Sequence, residues 1–124
     1  MDIDDIRRRA PLHFLAKADN ARYCAWTLWS LSKDGIALNK AAIGYHGTPE
    51  VALGEGWRRE RSLALECVVK AVFAQREEGK AEPRVVRATH NVSQLWDEAR
   101  LPKVNRDDRI RLLTTWEILQ WAGR

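Results

Sequence analysis

Residues 57–78, WRRERSLALECVVKAVFAQREE, contain neither proline nor glycine and read as one continuous helix. At about 100° per residue, Ala64, Leu65, Val68, Val69 and Val72 fall on one broad face, while Leu63, Cys67 and Phe73 add apolar groups on the far side. A helix that is apolar on more than one side is expected to be a central one, covered by several neighbours. Glu66 and Lys70 stand four apart with the acid first, the order that suits both the ion pair and the helix dipole. The physical reading of this stretch is a small all-helical domain built around a long helix.

A chain of 124 residues supports one core and is too short for two independent ones, so a single domain over residues 1–124 is expected. Its 45% hydrophobic and 31% charged residues exclude a disordered or membrane-embedded class. The net charge of +4 favours a phosphate-bearing partner without specifying one. Six tryptophans either fill a core or form an aromatic contact surface, and their placement in helical stripes favours the core. Cys24 and Cys67 lie in apolar helical runs away from any CxxC or Cys/His cluster, which predicts buried free thiols and no metal. No run of about 18 apolar residues and no signal-peptide core is present, so a cytoplasmic protein is expected.

In chain order, residues 1–10 alternate acids and arginines and are expected to be a loosely held turn or helix ahead of Pro11. From Pro11 to about Lys33, the residues Leu12, Leu15, Ala16, Tyr23, Trp26 and Ser30 keep helical spacing. Asp19 falls inside that stripe and, if buried, needs either a structural ion pair or a polar pocket. Asp34-Gly35 is expected to end this helix, and the glycine-containing stretch that follows to be a connection with at most short turns. Thr48-Pro49-Glu50 is a helix start, which lets the central helix begin at Pro49 and run to the stop at Gly79. Val92, Leu95, Trp96 and Ala99 define a short helix over 91–100. Asn105, with Asp107 and Asp108 behind it, opens the last one. Glu117 is a second acid in an apolar stripe, and if the first and last helices are neighbours it would meet Asp19. Leu65, Val69, Val72, Trp26, Leu95, Leu113 and Trp121 are the expected core.

The candidate site is RVVRATHN, residues 84–91. Arg84, Arg87, His90 and Asn91 gather before a helix N-terminus, where free backbone N–H groups and paired guanidinium groups favour phosphate. A solvated basic loop in which His90 helps cap the helix is the competing reading. Asp19, Glu66, Lys70 and Glu117 are placed at the pocket edge. His13 and His46 stand alone, and no Ser-His-Asp set, phosphate-binding glycine loop or HExxH occurs.

SLALECVVKAVF, THNVSQLW and the closing WEILQWAGR, in this order, resemble prokaryotic HEPN domains. The likeness covers residues 20–124 and rests on an A-x-E-x-x-x-K-A helix, a Thr-His-(Asp or Asn)-hydrophobic start to the third helix and a tryptophan-rich last helix. It implies an all-α four-helix up-and-down bundle with a long central helix and a short third helix. It also implies a homodimer that binds a nucleotide or RNA without a cofactor, in some members beside a nucleotidyltransferase partner in a toxin–antitoxin or defence system. Ribonuclease members carry Arg-x(4 to 6)-His near the start of the last core helix. Arg84 and His90 match that spacing but lie one helix earlier, which argues against the subgroup. Many relatives continue with Tyr-Pro where this chain stops at Gly123-Arg124, which points to a shortened chain. Three functions therefore stand as expectations: a nucleotide- or RNA-phosphate-binding module, a metal-independent ribonuclease using Arg84 and His90, and a non-catalytic interaction or dimerisation domain.

Overall fold

The computed structural model describes residues 2–122, with side chains to residue 120, and every regular element among them is helical. These are α1 (Ile3–Arg7), α2 (Pro11–Ser30), α3 (Lys33–Ile43), α4 (Pro49–Glu77), α5 (Val92–Glu98) and α6 (Arg106–Ala122). No helix among them is long and apolar enough to cross a membrane.

The longest, α4, is the organising element: it makes its most extensive contact with α2 and also packs on α5 and α6, which pack on each other. Small residues let α2 and α4 approach closely. Ala18, Ala21 and Ala25 are the buried positions along α2 after Phe14, and a Cβ at Gly56 would stand 3.2 Å from Leu28 Cδ1. Beyond this seam the core is Phe14, Val69, Ala71, Phe73, Ala74, Val86, Val92, Leu95, Ala99, Leu112 and Leu119.

Local chemistry explains the boundaries. Pro49 occupies the first turn of α4, where its missing N–H is not needed. Asn91 caps α5 by accepting from the Gln94 N–H at 3.0 Å, and Asn105 accepts from Asp108 at 2.8 Å ahead of α6. The N-terminal segment, expected to be loosely held, is tied at Arg8. Its carbonyl accepts from Val86 N–H, and its Nε donates to the Val86 carbonyl at 2.8 Å.

Several expectations are corrected. Gly35 does not stop a helix: its N–H donates to Ser32 Oγ at 3.0 Å, and Ser32 caps α3, which fills part of the expected connection. The left-handed cap lies at Gly44, with φ of 63°. Trp26 and Leu113 are exposed rather than core residues, and Cys24 is exposed where Cys67 is buried. Asp19 and Glu117 are exposed too, and Asp19 pairs with Arg22 of its own helix at 2.8 Å. The reason is common to α2. Its large apolar residues share a stripe with Asp19 as expected, but the alanine face packs, because only there can α4 come close. The side chain of Trp121 and residues Gly123 and Arg124 lie outside the described residues.

Candidate functional site

A cavity of about 400 Å³ opens between α2 and α4. Lys17, Asn20 and Cys24 line it from α2, Glu60, Glu66, Cys67 and Lys70 from α4, and His90 from the linker ahead of α5. Glu66 is its centre. Only 2% exposed, it holds His90 Nδ1 at 2.6 Å from Oε1 and Lys70 Nζ at 3.6 Å from Oε2. A carboxylate can only accept, so Nδ1 carries the proton and Nε2 is the ring nitrogen available to a ligand. A buried carboxylate without such partners would cost several kcal/mol, roughly, which is why the cation and the imidazole accompany it. Helical spacing sets half of this geometry, since residues four apart on α4 share a face. The other half depends on the linker, whose turn at Thr89 bonds the Asn91 N–H to Thr89 Oγ1 at 3.1 Å.

Cys67 borders the same cavity. Burial, and then the neighbouring Glu66 charge, push its thiol above the ordinary value, so the thiolate is disfavoured.

Arg84 of the linker turns away to a second cavity of about 290 Å³, lined by Phe73, Arg76, Glu77, Lys80, Arg84, Glu98, Ala99 and Arg100. Arg84 is held there by Glu77, through its backbone N–H at 3.1 Å and its Nε at 3.0 Å, and its guanidinium lies 4.8 Å from the Phe73 ring centroid. Arg87 pairs with Glu98. Arg76 donates to the carbonyls of Ala99 and Arg100. The residues expected to form one phosphate cluster are thus divided. His90 joins Glu66 and Lys70, Arg84 and Arg87 join acids at the second cavity, and Asn91 is occupied as the cap of α5. Asp19 and Glu117 stand apart from both linings.

Glu77 is the functional-site neighbour that the sequence reading missed. It is a buried acid in the last turn of α4, where the helix dipole disfavours negative charge, and that position was the available signal that it must be paired. The Arg84 backbone N–H, then Lys80, hold its carboxyl down to about 2 against the opposing effect of burial. Because this lies below the ordinary 4.5, the stabilisation is complete above 4.5 and fades as pH falls towards 2. The melting temperature should decline over that interval, and Glu77→Gln should flatten the decline. An acid limb of the same steepness in the variant would remove Glu77 as its source.

Comparison of the chain with protein-family models gives no match, and comparison with curated proteins and with solved structures gives none either.

Proposed function

We propose that this is a HEPN-like binding module for RNA or nucleotide phosphate, with the α2–α4 cavity as its principal site. The observation that carries the reading is the buried Glu66 fixed between His90 and Lys70 in a cavity that Lys17 also lines. A buried, hydrogen-bonded ionisable cluster in a cleft is a physical mark of a functional site. Lys17 and Lys70 offer donors to phosphate oxygens, the free Nε2 of His90 offers an acceptor to a sugar hydroxyl, and Leu63 and Phe14 supply apolar wall for a base or sugar. Arg76, Lys80, Arg84 and Arg100 outnumber Glu77 and Glu98 around the second cavity, at the other end of the same linker. Lys17 and Lys70 balance Glu60 and Glu66 at the first cavity, so the excess of bases lies at the second, and a site continued there along residues 84–90 suits a chain of phosphates better than a single nucleotide.

The packing of α4 on α2, α5 and α6 supports reading these four helices as the bundle that the resemblance implies. A nucleotidyltransferase-type partner in a toxin–antitoxin or defence system belongs to the same proposal.

Fluorescence anisotropy with a short single-stranded RNA tests the reading. Affinity should fall steeply between about 50 and 200 mM salt, and Lys17→Ala should weaken binding and reduce the magnitude of the log–log slope by roughly 0.7. No binding at low salt, or binding indifferent to both salt and Lys17→Ala, would overturn it. A second reading, metal-independent ribonuclease, is favoured by one feature: a carboxylate-oriented imidazole is suited to general acid–base work. It requires RNA cleavage in excess chelator that His90→Ala abolishes. Arg84, bound by Glu77 at the other cavity, is not supported as its partner.

A further inference from the structure

We propose that a cavity between α3 and the first turns of α4 binds a free monocarboxylic acid with an aliphatic tail of about eight carbons, the tail in the cavity and the carboxylate on Lys40 and Lys33.

The cavity has a volume of about 220 Å³ and shares no lining residue with the α2–α4 cavity. Leu31 lines it from the end of α2, Ile36 and Ile43 from α3, and Pro49, Ala52 and Leu53 from α4. The ring of Tyr45 completes the wall, and Asn39 and Lys40 are the polar residues. Aliphatic surface on three sides with a few polar groups at one edge is the usual make-up of a small-molecule site. An apolar cavity of roughly 150 Å³ accepts a benzene-sized ligand, so the space here corresponds to about eight carbons.

The packing of α3 leaves this surface unused. None of its residues is buried, and none of the extensive helix–helix contacts involves it. Its ends are nonetheless fixed, by the Ser32 cap and by the left-handed turn at Gly44. The turn that follows is fitted to Tyr45. Its hydroxyl donates to the Thr48 carbonyl at 3.4 Å, and a Cβ at Gly47 would stand 2.2 Å from the hydroxyl oxygen, so glycine leaves the room that the ring occupies.

Charge selects the head group. An adjoining cavity of about 470 Å³ shares Ile36, Lys40 and Pro49 with the first and adds Lys33, Thr48 and Glu50 to the lining. Lys33 and Lys40 stand seven apart on α3 and therefore share a face. Among the described residues neither enters an ion pair. Two ammonium groups against Glu50 leave one positive charge around the joined cavities, which a single carboxylate neutralises and a phosphate dianion would exceed.

A nuclear magnetic resonance titration of the isotope-labelled full chain with sodium octanoate tests this. Saturable shifts are expected at the amides of Ile36, Lys40, Tyr45 and Leu53. Butyrate, with the same head group and half the tail, should bind more than tenfold more weakly. Lys40→Gln should weaken octanoate binding about fivefold, as expected for a solvent-exposed ion pair. Ile36→Trp, which fills the cavity, should abolish it. Circular dichroism should be unchanged in both variants, since neither side chain is buried. Octanoate that gives no saturable shifts, shifts centred instead on Lys17 and Lys70, butyrate that binds equally well, or octanoate binding indifferent to Lys40→Gln or to Ile36→Trp would each overturn the proposal.

Discussion

Phe73→Ala is expected to lower the free energy of unfolding by about 3–5 kcal/mol, a large part of the roughly 5–15 kcal/mol that holds a domain folded. Phe73 is 3% exposed and belongs to the central core cluster, so truncation removes both its transfer free energy and its packing contacts. The same ring supports the Arg84 guanidinium from 4.8 Å, which connects the core to the linker. Loss of the ring should therefore loosen Arg84 as well as α4. Urea unfolding should show a much lower midpoint at an unchanged slope. A loss under about 1 kcal/mol would mean that this part of α4 is not the packed centre of the fold.

The second large effect is expected at Glu66. Glu66→Ala leaves the Lys70 ammonium in place with its side chain 11% exposed and its counter-charge gone, and removal of one member of a buried pair costs about 3–5 kcal/mol. It also releases His90, so backbone amides of residues 89–91 should lose protection from hydrogen exchange beyond the global change. Glu66→Gln, which keeps the volume and an acceptor for Nδ1, should cost less. Stability and linker protection both unchanged in Glu66→Ala would show that the carboxylate does not pin the linker.

How far the sequence carries these results depends on the kind of signal. Pro49 and Asn105 were legible because a helix start is a local matter of one side chain and a few N–H groups, whereas at α5 capping was assigned to His90 and Asn91 to phosphate, and Asn91 makes the cap. The Glu66–Lys70 pair was legible for the same reason, being four residues apart on one helix. The buried face of α2 was not. Periodicity identifies stripes but not which stripe packs, and Ala18, Ala21 and Ala25 carry little hydrophobic weight beside Leu12, Tyr23 and Trp26. What decides between the faces is the distance at which α4 can approach, a tertiary quantity. α3 was missed because a glycine after an aspartate was read as an end, whereas Ser32 ahead of them makes a beginning. The meeting of His90 with Glu66 spans 24 residues and no local rule encodes it. The separation of Arg84 from His90 has the same origin, since Glu77 draws the arginine to the far end of α4.

We propose that the Glu66–His90–Lys70 cavity receives phosphate. This is tested most directly by a nuclear magnetic resonance titration of isotope-labelled protein with a short single-stranded RNA, following the His90 ring nitrogens and the amides of Lys17, Asn20 and Lys70. Saturable shifts are expected at these residues, with Nε2 of His90 responding more than Nδ1, which Glu66 already holds. Resonances that stay fixed while the RNA binds elsewhere, or an RNA that does not bind at all, would contradict it.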